Sequence, residues 1–388
     1  MQKTWSMSSF YFYVFFSFGG LFSLLSLYLK NEAHLSGTQI GTIMSLGPIV
    51  MILSQPFWGV ICDYTKKPRL VLTFTVFLTG IAGLGYLVST SYIWIFIVAI
   101  ILAFFQSAIV PISDSLVTNY VYEHQKSYGS IRSWGAVGYS ISVLAVAKIS
   151  EVFGSQSIFI CFAIALVIAS WYATKIPEPK RDTNLHANLL VGLKELFRLP
   201  PYLLFLFVTF FVFGPIYANN FYFGLLFESI GGTVAGIGIA FLLMAGSEVP
   251  FMKWADRFIN RFGIMRILFL AAMVSAFRWF LYFFEPSQMV VYMTSILQGF
   301  SIGLFIPAAL RFVKMIAPEN VQVTAVSFYS AAGNGLGCWF CTIMGGILID
   351  YFSIFTTYMF YGVLTTIGLV CLFFLKKMEG TWEGTTTS

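Results

Sequence analysis

Charge is scarce in this chain: 10% of its 388 residues are Asp, Glu, Lys or Arg, while 58% are hydrophobic. A soluble domain cannot cover its surface with so few charges, so most of the chain must be solvated by lipid. Histidine is scarcer still, and His34, His124 and His186 all fall in expected loops. The five cysteines lie in or beside apolar runs. Cys338 and Cys341 have ligand-like spacing but no companion pair and no nearby histidine, so helix packing is expected of them rather than metal or redox chemistry. No phosphate-binding glycine loop, zinc-ligand cluster or nucleophile elbow is visible. The expectation is a protein without cofactor or metal that is not an enzyme.

What is present is apolar sequence in long runs, with 43 phenylalanines among them. Crossing ~30 Å of hydrocarbon takes about 20 apolar residues per helix, and only helices or closed barrels satisfy the backbone there. The runs are too long for barrel strands. Twelve spans are expected, at about 7–29, 40–62, 70–89, 92–120, 131–149, 156–174, 201–226, 233–252, 266–284, 287–316, 322–348 and 355–375. The first run follows "MQKTWS" but is too long for a signal peptide and precedes no small-residue cleavage site, so it reads as the first span.

A net charge of +6 suggests nucleic-acid binding until the positions of the charges are considered. With both termini cytoplasmic, nineteen of the 22 Lys and Arg residues fall in inner segments, Lys30 and Lys148 in outer ones, and Arg278 within a span. That asymmetry orients a membrane protein, and no nucleic-acid partner is expected.

The longest hydrophilic stretch, residues 175–200, opens Pro-rich and charged and continues as "HANLLVGLKELFR", whose apolar spacing suits a helix along the inner membrane surface. It divides the chain into an N-terminal bundle (1–174), a cytoplasmic linker (175–200), a C-terminal bundle (201–376) and a cytoplasmic tail (377–388). The halves echo one another. "SQPFWGVICDYTKKPR" and "SEVPFMKWADRFINRFGIMR" each carry a polar residue near Pro-Phe, then an aspartate (Asp63, Asp256), then basic residues. Pro111 and Pro307 also correspond, and Ser327 falls opposite Arg132. Repeated six-span halves are typical of secondary transporters.

Over nearly its whole length the chain resembles the major facilitator superfamily. "GVICDYTKKPR" is similar to that superfamily's loop between spans two and three, with Gly59, Asp63, Lys67 and Arg69 matching and Lys66 standing where a second glycine is usual. Asp114, followed eighteen residues on by Arg132 in "YGSIRSWGAVGY", resembles the branch containing lactose permease, nucleoside permeases and the phenylpropionate permease. The resemblance implies an all-α membrane protein of twelve transmembrane helices in two pseudo-symmetric six-helix bundles. It implies gating roles for Gly59, Asp63, Arg69 and Asp256. Lactose permease relays protons through a histidine and a glutamate on span ten, where this chain has Gln298 and Ser301. Arg278 matches that relay's arginine, and Glu248 lies about one turn from a family carboxylate on span eight.

A charge at the bilayer centre costs ~3 kcal/mol on insertion scales, so Asp114, Arg132, Glu248 and Arg278 each need a reason. They either neutralise one another structurally or act on a ligand. Arg132 offers a planar fork of donors to a substrate, with Asp114 holding it; the plainer reading is that it snorkels to the interface. Asn219, Asn220, Gln298 and Asn334 are uncharged groups suited to interhelical hydrogen bonds or to substrate hydroxyls, and Tyr217 and Trp134 could stack on a ring. "YGSIRSWGAVGYS" has glycines every three or four residues, spacing that lets two helices approach closely.

The expected function is a monomeric plasma-membrane permease with small-molecule substrate, proton and lipid bilayer as its partners. It would move a sugar, nucleoside or aromatic acid by alternating access, with Glu248 as proton site and Arg278 as its switch. The alternatives are an exporter of amphipathic compounds, which would need no fixed Arg132, and a transport-dead sensor, for whose output domain the tail is short.

Overall fold

A computed structural model of the chain describes residues 2–126, 128–178, 196, 198–317 and 322–382. The described residues form α-helices, one short 3-10 turn and one π-helical segment. Eleven helical spans are long and apolar enough to cross a membrane, and a shorter apolar helix, Ser157–Ala173, stands where the sixth span is expected. The expected helix along 186–198 lies mostly outside the described residues.

The helices are α1 (Gln2–Asn31), α2 (Gly37–Thr65), α3 (Pro68–Leu84), α4 (Tyr92–Gln106), α5 (Ile109–His124), α6 (Tyr128–Phe153) and α7 (Ser157–Ala173), then α8 (Pro200–Ser229), α9 (Val234–Phe262), α10 (Ile264–Phe283), α11 (Gln288–Ile316), α12 (Gln322–Ser330), α13 (Cys338–Tyr351) and α14 (Ile354–Trp382). Helix α2 starts at a capping box, with Ser36 and Gln39 each satisfying the other's backbone N–H. It ends at Lys66, whose φ of 53° is left-handed, and Pro68 then opens α3. The backbone at Lys66 is the kind that glycine adopts without strain, the residue usual there in the family loop.

The fourth span is two helices. Pro111 has no N–H to bond the Ser107 carbonyl one turn back, and its ring crowds that carbonyl, so the helix stops and restarts. The Ser107 hydroxyl turns back onto the Phe104 carbonyl at 2.7 Å. The eleventh span contains the other irregularity, a π segment, Ala331–Gly337, between α12 and α13.

The chain forms two compact units, residues 1–183 with 220–242, and residues 184–219 with 243–388. Residues 220–242, expected in the C-terminal bundle, therefore pack with the first unit. In that unit α1 packs on α6 and α7, and α3 on α7 and α4. A Cβ at Gly224 would touch the Ser23 carbonyl oxygen and Leu27 of α1, both at 3.3 Å. Lys30 and Asn31 hold the Glu228 carboxylate at 2.9 and 2.7 Å. The Glu151 carboxylate accepts from the Ala235 N–H at 2.9 Å, capping α9. In the second unit α10 is central, packed against α11 and α14.

Candidate functional site

The expected charged pair is formed in the first unit. Arg132 Nε lies 3.7 Å from Asp114 Oδ1, with both side chains about one-third exposed (29% and 34%). The carboxylate has a second partner that the sequence did not single out, Tyr11, whose hydroxyl donates to Oδ1 at 2.6 Å. Tyr128 lies close to the same group. The guanidinium also lies over two aromatic rings, 4.0 Å from the Phe15 ring centroid and 5.1 Å from that of Tyr11. Cation–π contact and one carboxylate thus hold the arginine, and most of its five donors have no partner among the described residues.

Local sequence makes room for this. A Cβ on Gly135 would lie 2.8 Å from Arg132 Nη1 and 2.9 Å from Phe15. One turn on, a Cβ on Gly138 would run into the Phe12 carbonyl. The expected close approach is therefore real, between α6 and α1, and it sets the distance from Arg132 to Tyr11 and Phe15. Trp134 points elsewhere and meets Trp5 edge to face at 6.2 Å.

The second unit holds a separate polar group. Asn219, fully buried on α8, donates from Nδ2 to Gln298 Oε1 at 3.2 Å. Its own Oδ1 accepts from the Tyr358 hydroxyl at 2.9 Å. Asn220, its neighbour, makes no hydrogen bond among the described residues. Arg278 is 1% exposed, and none of its guanidinium nitrogens has a hydrogen-bond partner among the described residues. Its charge instead faces Trp279 at 4.2 Å and Tyr282 at 5.5 Å. The expected pairing with Glu248 is not among the ion pairs of the described residues, because α10 turns the arginine into the Trp279, Tyr282 and Tyr358 cluster. Glu248 lies instead near Tyr217, which is also close to Asn334 of the π segment. A π turn displaces side chains from ordinary helical register, a feature frequent at functional sites.

Of the expected gating residues, Arg69 meets Glu178 at 3.5 Å, an exposed pair worth little in stability. It borders a cavity of about 340 Å³ shared with Lys3, Glu123 and His124. Gly59 and the exposed Asp256 have open surroundings, and the side chain of Asp63 lies outside the described residues. Cys341 packs on α8, its Sγ 3.0 Å from where a Cβ of Gly214 would be. Tyr11 and Tyr358 escaped notice because a run such as "FYFYVFF" gives no sign of which ring finds a polar partner.

Long apolar helices that bury hydrogen-bonded polar groups define a multi-pass helical membrane protein. The model of the MFS_1 like family matches residues 4–360, and the chain belongs to that family of the major facilitator superfamily. It is 48% identical over 372 residues to the maltose permease of Geobacillus stearothermophilus, covering 96% of this chain and 94% of that one. An uncharacterized transporter of Bacillus subtilis, YwbF, is 42% identical over 375 residues, covering 96% and 94%. Among solved structures, that of the nucleoside transporter NupG superposes with a TM-score of 0.82 at 16% identity, covering 97% and 100%.

Proposed function

We propose that this protein takes up maltose or a closely related glucoside by proton symport. The observation that carries the reading is the 48% identity to a maltose permease, extending over 94% of that relative. Two groups of residues, one in each unit, support it. Arg132 and Asp114 offer donors and acceptors beside aromatic faces, the combination that suits sugar hydroxyls and the apolar face of a pyranose. Asn219, Gln298 and Asn334 add amides of the kind that exchange hydrogen bonds with hydroxyls. Both termini and the 175–200 segment are taken as cytoplasmic on the distribution of basic residues.

Proton coupling is assigned to Glu248. Asp114 is tied to Arg132 and Tyr11. Glu248 has no ion-pair partner among the described residues, so it can change protonation without breaking one. Gln298 and Ser301 cannot titrate, whereas Glu248 is a carboxylate inside a span, less exposed than Asp256 nearer the end of the same helix. Arg278 is left out of that step, its guanidinium being held against Trp279.

Proteoliposomes test this directly. With an imposed proton gradient they should accumulate labelled maltose but not labelled nucleosides. Glu248→Gln should lose accumulation while retaining maltose exchange. Accumulation by that variant would move the proton site elsewhere, and indifference to maltose in the parent would overturn the substrate.

A further inference from the structure

A second cavity lies in the second unit, apart from the polar groups described above. Its volume is about 820 Å³, and Leu270, Met273, Phe300 and Phe373 are among its lining. Met273 is 47% and Phe373 50% exposed on the protein surface, so in a bilayer the groove opens to hydrocarbon. Its other end is different. Arg266, in the first turn of α10, and Lys376 and Lys377, late in α14, line the same cavity, and no acidic residue among those described does. All three cations are exposed. Among the described residues the ion pairs are Lys30–Glu228, Arg69–Glu178 and Arg132–Asp114, so none of the three is neutralised by a described carboxylate. Lys377 does lean over the Phe373 ring, 4.8 Å from its centroid. Helix α10 begins at Gly263 with no side-chain cap, which leaves its first N–H groups open near Arg266.

The polarity therefore changes along one groove, from three cations to bare apolar surface. Arg266 and Met273 are seven residues apart on one helix, a rise of about 10 Å. A sugar in this groove would leave its hydroxyls unpaired against phenylalanine, leucine and methionine. A molecule with a negative head and long apolar tails meets both ends. We propose that the groove is a binding site for an anionic phospholipid, its phosphate held by Arg266, Lys376 and Lys377 and its acyl chains lying between α10, α11 and α14. A zwitterionic lipid would bring its own cation up to the three, so the head that fits carries net negative charge. The assignment does not depend on the substrate or on the orientation of the chain.

Native mass spectrometry of the purified full-length protein tests it, with phosphatidylglycerol and phosphatidylcholine supplied in equal amounts. The parent should retain phosphatidylglycerol preferentially, and each neutralised cation should lower that preference about fivefold. R266Q/K376Q/K377Q should abolish it, and Met273→Trp, which fills the groove, should reduce occupancy by either lipid. Neutralising Lys66 and Lys67, basic residues of the α2–α3 turn, should change nothing. If the triple variant does not fold, Arg266→Gln alone should still show its fivefold loss. Equal retention of the two lipids by the parent, or an equal loss on neutralising Lys66 and Lys67, would overturn the site. So would stabilisation by inorganic phosphate matching that by the lipid, since it would mark a simple anion site.

Discussion

A single guanidinium poses the sharpest problem at the scale of one residue. Arg132 lies 3.7 Å from one carboxylate oxygen and 4.0 Å from the centre of a phenylalanine ring. A lysine could keep the charge but not the flat face that rests on Phe15, nor the fork of donors presented to a ligand. Loss of a charge-assisted hydrogen bond to substrate costs about 1.5–3 kcal/mol, or roughly 10- to 100-fold. Arg132→Lys should therefore lower maltose uptake by about that factor while the protein reaches the membrane in normal amount. Uptake assays beside a quantitative blot would decide it. Normal uptake by both Arg132→Lys and Arg132→Ala would reduce the residue to a side chain reaching for the interface. The pair itself was legible in the sequence, because charge within an apolar run stands out. Its other partners were not. The hydroxyl of Tyr11 holds Asp114 at 2.6 Å, yet nothing distinguishes Tyr11 from the eight other aromatic residues from Trp5 to Phe22.

At the scale of the element, packing between α1 and α6 fixes where that pair can be. Gly138 faces the Phe12 carbonyl so closely that even a methyl group would have to displace a helix. Overpacking of this kind costs about 1–3 kcal/mol. Gly246 on α9 is the natural control, since a Cβ there meets nothing within 4 Å. Gly138→Ala should lower the thermal midpoint of the purified protein by several degrees. Gly246→Ala should leave it unchanged or raise it slightly, because alanine is the better helix former. Equal midpoints would show that the contact is not tight. The glycine spacing announced this approach, whereas the interruptions of the spans were harder to read. Pro111 alone does not announce a broken helix, since Pro48 and Pro56 both sit inside an unbroken α2. The π segment is written in "AAGNGLG", whose small residues let α8 come near: a Cβ on Gly214 would be 2.7 Å from the Gly337 carbonyl oxygen. Apolar periodicity runs through both places unbroken, and so the sequence pattern shows a span but not its kink.

For the whole molecule, hydrophobicity located the spans and charge ranks their ends. Twelve expected spans correspond to eleven long apolar helical spans and the shorter Ser157–Ala173, because lipid leaves a helical backbone little alternative. The division into units was less legible. Residues 220–242 pack with the first unit through contacts such as Lys30–Glu228 and Glu151–Ala235, which join residues far apart in sequence and carry no periodic signature. Orientation is the property of the whole chain that remains to be measured. Nineteen basic residues fall on one side of the expected spans and two on the other, a bias that retains Lys and Arg in the cytoplasm. Five free cysteines are present, so the experiment starts from a background in which each is replaced by serine. Thr90→Cys, exposed between α3 and α4, should then react with an impermeant thiol reagent added to intact cells. Asn184→Cys, in the segment between the spans of the two halves, should react only after the cells are permeabilised. The reverse pattern would invert the molecule, placing nineteen cations outside and Glu248 in a transporter that faces the opposite way.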